Sequence, residues 1–333
     1  MSPDTPQEAE VTAGTKITPG RAYGFFTDTT LCIGCKACEV ACKEWNLLPA
    51  DGPGWTGRSY DHTHELSAKT WRHVWFVEQF NRGTDLHPTE DGTPERSPST
   101  NGIDGQANYD PVPTLGPATN PYEAATDTPV PEGWATPESR WIFMSDVCKH
   151  CVLAPCLEAC PTGSIIRTEF DTVYVQQEIC NGCGYCEAAC PFAVIEVDKE
   201  GDGKAHKCTL CYDRLKDGLE PACAKVCPTD SIQFGPVDEL LERAEARVAE
   251  LRARGIPAYL YGSNGRLEDR CDTTKLQGLN AFFLLIDEPE VYNLPAAPKR
   301  PSTNTGIGLI GGALGALALT GAIWYTFAGE EGG

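Results

Sequence analysis

A chain of 333 residues with 27 Lys and Arg against 47 Asp and Glu has a formal charge of -20, which argues against a nucleic-acid binder because phosphate contacts need a basic face. The length suits one or two packed domains, and 33 glycines with 26 prolines predict a loop-rich fold. Seventeen cysteines are too sparse for a small disulfide scaffold; they stand in four bursts plus one stray thiol, Cys271, and so read as metal ligands with Cys271 structural.

Along the chain, residues 1–23 are acidic and polar, without an apolar signal core or paired arginines, and are expected to form a mobile arm. Residues 24–83 hold the first burst and then a β-rich string from Trp71 to Val77 that predicts a strand near 72–78. Residues 84–139 contain ten prolines and five glycines but only five Val, Ile or Leu, so this insertion cannot bury a core of its own. It reads as a solvated insertion or as an arm that orders against a partner subunit. Between 140 and 235, strand candidates at 141–144, 164–167, 173–176, 194–197 and 232–234 each lie beside a burst, the rhythm of a repeated small α+β unit.

A helix follows at 237–254, where Val237, Leu240, Leu241, Ala244, Val248 and Leu251 keep helical spacing and Gly255-Ile256-Pro257 supplies the stop. It is amphipathic, a docking helix whose stripe reads first as core packing. Residues 306–328 carry no charge; as a helix they would extend about 34 Å, enough for the roughly 30 Å apolar layer of a bilayer. They are expected to form one transmembrane helix, with Gly308, Gly312 and Ala316 on one small-residue stripe and Gly311 and Gly315 on another, suited to close helix packing.

Burst one is Cys32-x2-Cys35-x2-Cys38-x3-Cys42, and burst three repeats it as Cys180-x2-Cys183-x2-Cys186-x3-Cys190-Pro191. Both match the ferredoxin run for cubane clusters. Burst two, Cys148-x2-Cys151-x4-Cys156-x3-Cys160-Pro161, and burst four, Cys208-x2-Cys211-x11-Cys223-x3-Cys227-Pro228, keep the same first and last gaps. Three thiolates on one short loop can curl around one face of a cluster while backbone N–H groups hold down its negative charge. Gly34, Gly182 and Gly184 stand where such a loop calls for positive φ. The fourth cysteine reaches the other cluster of a two-cluster module, so ligation is expected to cross between bursts.

Zinc is the chemical alternative, since paired Cys-x2-Cys units also make tetrahedral sites, but zinc sites rarely use four bursts of four with Cys-Pro endings. A dithiol exchange role would need only two thiols. His150, inside burst two, reads as a residue outside the ligand set or at the surface. Lys36, Lys149, Lys204, Lys207 and Lys225 could raise cluster potentials, although solvated charge is the preferred reading for most. No nucleotide loop, Ser/His/Asp set or paired carboxylates point to a substrate site, and no catalytic residue is assigned.

With these residues in view, the sequence resembles the iron–sulfur β subunit of membrane-bound respiratory formate dehydrogenases, from about residue 27 to the C-terminal span and excluding 84–139. The carrying strings are CIGCKACEVACKEWN (32–46), LSAKTW (66–71), NGCGYCEAACPF (181–192), KCTLCYDR (207–214) and EPACAKVCPT (220–229). The resemblance implies an α+β fold of two ferredoxin-like modules related by a pseudo-two-fold, each with two [4Fe-4S] clusters, plus one C-terminal transmembrane helix. Module 1 would take 24–83 and 201–236 (bursts one and four), module 2 would take 140–200 (bursts two and three), and 237–300 would be the docking helix and extension.

The implied ligand sets are Cys32, Cys35, Cys38 with Cys227; Cys208, Cys211, Cys223 with Cys42; Cys148, Cys151, Cys156 with Cys190; and Cys180, Cys183, Cys186 with Cys160. In the related nitrate reductase subunit a Trp replaces the second cysteine of burst three and gives a three-iron cluster; Cys183 stands there in this chain, so four cubanes are expected. The chain would be no enzyme by itself. It would conduct electrons from a molybdenum or tungsten pterin α subunit that oxidises formate to a quinone-reactive membrane γ subunit, with haem or without.

Lys299-Arg300 before the span and Glu330-Glu331 after it would by charge bias put the cluster domains inside. The resemblance implies the periplasmic or outer face, reached by co-export with the α subunit, and that face is the expectation. Sibling readings are the iron–sulfur subunit of another molybdopterin or hydrogenase complex, and a membrane-anchored ferredoxin-like carrier.

Overall fold

In the computed structural model, the described residues are 17–50, 61, 63, 65–80, 139–263 and 276–328. Cys271, most of the N-terminal arm and nearly all of the 84–139 insertion lie outside them. The aromatic run of Tyr23–Asp28 forms β1, buried along its whole length, as expected for a strand with both faces covered. β1 is central to a four-stranded sheet: β8 (Ile232–Pro236) pairs antiparallel on one side, β10 (Ala281–Leu285) parallel on the other, and β9 (Tyr259–Tyr261) closes the far edge antiparallel to β10. Gly24 permits the close approach, because a Cβ there would lie 1.7 Å from the Asn280 carbonyl oxygen.

The sheet is covered by the predicted helix, α6 (Val237–Ala253), which packs on β1, β8 and β9. Its stripe is almost wholly inaccessible, with Leu240 and Ala244 at 0% and Val248 and Leu251 at 1% exposure. Each buried Leu or Val contributes roughly 1.5–3 kcal/mol, so the stripe anchors the helix to this chain's own sheet. Asp238 and Glu239 lie in its first turn, favourable against the helix dipole, and Gly255 ends it at φ 80°.

The strands predicted near 72–78 and 141–144 are two sides of one ribbon, β2 (Arg72–Phe80) and β3 (Ser139–Val147), paired antiparallel from Arg72↔Val147 to Phe80↔Ser139. The chain between Phe80 and Ser139 therefore leaves and re-enters at the tip. The candidates at 164–167 and 173–176 pair as β4 (Ile165–Arg167) and β5 (Val173–Val175), while β6 (Glu196–Val197) pairs with β7 (Ala205–His206). Short helices start within or beside the bursts: α1 (Ala37–Trp45), α2 (Pro155–Glu158), α3 (Tyr185–Ala189), α4 (Tyr212–Lys216) and α5 (Ala222–Lys225). α1 packs on α5, and α2 on α3.

Beyond a one-turn 3-10 segment at Pro301–Asn304, α7 runs from Thr305 to Ala328. Its described side chains, 310–322, are all exposed, including Ile310, Leu314, Leu317 and Leu319. These described side chains cover only 13 positions of the helix, and among the described residues no helix is long and apolar enough to cross a membrane.

Candidate functional site: four cysteine quartets

Sixteen free thiols, one for every burst cysteine, collect into four groups that each mix two bursts. Cys32, Cys35, Cys38 and Cys227 line one cavity. Cys148, Cys151, Cys156 and Cys190 line another, and Cys160, Cys180, Cys183 and Cys186 a third. The shared lining of four thiols marks three sites of one kind. Cys42, Cys208, Cys211 and Cys223 form the remaining group, close enough that the charge of each bears on the Cys42 thiol. These are the first (Cys32), third (Cys148), fourth (Cys160) and second (Cys42) sites below.

The sites are in series. Thiols interact electrostatically from first to second through Cys38 and Cys223, from second to third through Cys208 and Cys148, and from third to fourth through Cys156 and Cys186. Cys35 of the first site and Cys183 of the fourth are exposed, whereas Cys208, Cys211, Cys148 and Cys151 are buried.

A repeated backbone turn builds the sites. In every burst the residue before the second cysteine has positive φ: Gly34 (68°), His150 (43°), Gly182 (69°) and Leu210 (58°). Successive N–H groups in such turns form a concavity that favours negative charge. Only glycine fits at 182, where a Cβ would meet the Gly203 carbonyl oxygen at 1.9 Å. His150 and Leu210 hold the turn with side chains, at a cost of about 1–2 kcal/mol each. After the last cysteine of bursts two, three and four, the Cys-Pro step continues into a second turn, with Gly163, Ala193 and Asp230 at positive φ.

Burial dominates the thiols. It pushes Cys38, Cys156 and Cys211 up to about 12 and Cys186 up to about 11, and raises Cys42, Cys151 and Cys208 well above their ordinary value. Metal binding at these sites must therefore displace protons. Cys160 departs from the pattern. Burial pushes it up, but its contacts with Ser164 and Thr162, at 3.2 and 3.6 Å, bring it down to about 7.

The residues fit iron–sulfur clusters. Each site offers four sulfur donors around a cavity, and among the described residues no three His, Cys, Asp or Glu are arranged to hold a single metal ion, which a tetrahedral zinc centre needs. The third cavity also has an orphaned donor. His150 is fully buried, its Nδ1 accepts the Val173 N–H at 3.0 Å, and its Nε2 has no partner. Burial, then the charges of Lys207, Arg167 and Arg72, hold it well below its ordinary pKa. It is thus neutral, with its proton on Nε2, and stands in the wall of the cavity.

The lysines near the bursts separate into two kinds. Lys225 is exposed on the surface and Lys36 half-buried, but Lys149 and Lys207, against the preferred solvated reading, are 1% and 2% exposed and line the third cavity. Lys149 pairs with Asp146 and lies over the Phe192 ring at 5.1 Å, and Lys207 donates to the Cys208 carbonyl at 2.9 Å. Their adjacency to Cys148 and Cys208 was the available signal.

Sequence reasoning missed the polar groups that β2 and β3 bring to the first and second sites. Arg72 and Ser145 are each 1% exposed. Beside them, His73 lies 3.3 Å from Glu39 and 3.2 Å from Asp61, and Glu39 accepts the Val74 N–H. Burial lowers the His73 pKa, but the two carboxylates outweigh it and hold the ring at about 9. Nothing in the string Trp71 to Val77 distinguishes a buried polar face from an edge strand.

Thiol quartets around cavities, strung between two exposed cysteines, define an iron–sulfur electron-transfer protein. Comparison with known proteins agrees: residues 139–237 match the 4Fe-4S dicluster domain family. The nitrate-inducible formate dehydrogenase iron–sulfur subunit of Escherichia coli (strain K12) is 36% identical over 306 residues, 91% of this chain and 81% of that protein. The formate dehydrogenase iron–sulfur subunit of Haemophilus influenzae is 32% identical over 316 residues, with 91% and 80% covered. One subunit of the anaerobic dimethyl sulfoxide reductase of E. coli is 28% identical over 221 residues, 66% of this chain and 77% of that protein. The chain belongs to the family of formate dehydrogenase iron–sulfur subunits and is an electron-transfer subunit with [4Fe-4S] clusters.

Proposed function

We propose that the chain holds four [4Fe-4S] clusters in two ferredoxin-like modules and is itself non-catalytic, passing electrons between a formate-oxidising molybdenum or tungsten pterin subunit and a quinone-reactive membrane subunit. The observation that carries this reading is the serial arrangement of four crossed thiol quartets, open to the surface at Cys35 and at Cys183. Cys32, Cys35, Cys38 and Cys227 would hold one cluster; Cys42, Cys208, Cys211 and Cys223 the next; Cys148, Cys151, Cys156 and Cys190 the third; Cys160, Cys180, Cys183 and Cys186 the fourth. Such clusters, when bound, take up and release single electrons. The protein keeps the second and third apart from water, supplies backbone donors from the positive-φ turns, and fixes the spacing of all four. The packing of α1 on α5 and α2 on α3 supports two modules.

The uncharged run 306–328 and the exposed Ile310, Leu314, Leu317 and Leu319 of α7 support a single membrane anchor; the periplasmic or outer face for the cluster domains rests on the family resemblance alone. The likeness to the dimethyl sulfoxide reductase subunit supports one sibling reading, service to another molybdopterin enzyme. Anaerobic EPR of the solubilised native complex separates the two. Reduced, interacting [4Fe-4S] signals after formate support the formate reading; signals only after dithionite move the chain to a sibling complex; silence under both removes the clusters.

A further inference from the structure

We propose that Arg72 is a positioning residue that sets the reduction potentials of the first and second sites together, as their shared buried counter-charge and, through Ser145, as the orienter of a hydrogen bond to Cys38. This inference rests on the cluster-holding function proposed above. Arg72 belongs to β2, distant in sequence from all four bursts, and its side chain is 1% exposed. The guanidinium lies over the Phe25 ring at 4.7 Å. Nη1 donates to Ser145 Oγ at 2.9 Å, and that oxygen lies 3.2 Å from Cys38 Sγ.

The direction of the relay follows from chemistry. A guanidinium only donates, so the Ser145 oxygen accepts from Arg72 and its hydroxyl proton is left for the Cys38 sulfur. Arg72 Nε and Nη2 have no hydrogen-bond partner among the described residues, and no carboxylate among those residues forms an ion pair with the group. The charges that bear on it are Cys223, Cys38, Cys208 and Cys42, one from the first site and three from the second. A buried cation without a compensating charge is costly. Here the compensation comes from the thiolates when iron is bound, so the cation and the loaded sites stabilise one another.

Reduction adds one negative charge to a site. A fixed positive charge in a low-dielectric interior favours that more negative state and raises the potential. A hydrogen bond to a cysteinyl sulfur acts in the same direction, on that site alone. Arg72 therefore acts on two sites and Ser145 mainly on the first. The field of Arg72 also reaches His150 in the third cavity, but the thiols it couples to most are those of the first and second sites, so the third and fourth sites should shift less.

The test is an EPR-monitored potentiometric titration of the intact complex carrying Arg72→Met, Arg72→Lys or Ser145→Ala, with iron content measured alongside. In Arg72→Met, the reduced-to-oxidised ratio of two of the four signals at fixed potential should fall at least tenfold, which is about 59 mV for a one-electron couple. Arg72→Lys should recover most of that shift, and Ser145→Ala should lower one signal by less. Full iron content with unshifted midpoints in Arg72→Met overturns the proposal, as does an equal shift in all four signals. If Arg72→Met fails to load iron, Arg72→Lys and Ser145→Ala decide: normal loading with an unshifted first site in Ser145→Ala overturns it. Absence of cluster signals in the unaltered complex would instead overturn the cluster-holding function.

Discussion

The two halves of the cysteine array make the same turns from very differently separated pieces of chain. Bursts two and three lie within 148–190 and close on each other through α2, α3 and two short hairpins. Bursts one and four are separated by most of the molecule and are joined through α1, α5 and the pairing of β1 with β8. Each half has one glycine and one larger residue at the positive-φ turn, Gly34 with Leu210 and Gly182 with His150. What repeats is backbone conformation, not residue type. The charge behind the sulfurs also differs: Lys149 and Lys207 adjoin cysteines, whereas Arg72 comes from a remote ribbon.

The largest expected effect tests whether the halves are independent. Cys183→Ser should remove or convert one cluster and lower the iron content by about a quarter if that cluster is lost, leaving the fold and the Cys32 and Cys42 sites intact. Iron analysis with EPR checks this, and an unchanged iron count would contradict the ligand set. Next comes the turn itself. Gly182→Ala must displace the Gly203 carbonyl and should cost about 3 kcal/mol in denaturant unfolding, while Gly184→Ala, with nothing within 4 Å of the added carbon, should cost only about 1 kcal/mol for its left-handed backbone.

A pH effect is expected from the split half. His73 at about 9 stands above its ordinary 6.5, so its pairing with Glu39 and Asp61 contributes fully below about pH 6.5 and is lost as pH rises towards 9. Melting temperature should fall across that window, and His73→Gln should flatten the fall while costing about 2 kcal/mol near neutrality. The smallest effect is at Lys225, an exposed residue 3.4 Å from Glu220. Lys225→Ala should change stability by less than about 0.5 kcal/mol and leave every EPR signal in place.

Much of the site was legible because cluster ligation fixes thiol spacing within a few residues. The crossed partners rested on resemblance, because no local spacing says which distant burst supplies the fourth thiol. The fold was legible where periodicity was clean, as in α6, and where strands bordered bursts. β1, β9 and β10 escaped notice: short, wholly buried runs such as Ala281–Leu285 have no apolar–polar alternation to separate a buried strand from a piece of helix. Arg72 and His73 escaped for another reason. Their burial is decided by what β1 and α1 lay against the ribbon, a contact between segments that local pattern does not encode.

The ribbon of β2 and β3 has one more consequence. Phe80 and Ser139 are paired at its tip, so whatever joins them starts and finishes at one place, and the entropy of closing such a loop grows only with the logarithm of its length. Evolution can therefore rewrite that connection in size and composition with little penalty to the cysteine array. For the experimenter it is the natural graft point: a fluorescent reporter or affinity tag spliced there would ride on the protein without altering the register from Arg72 to Phe80.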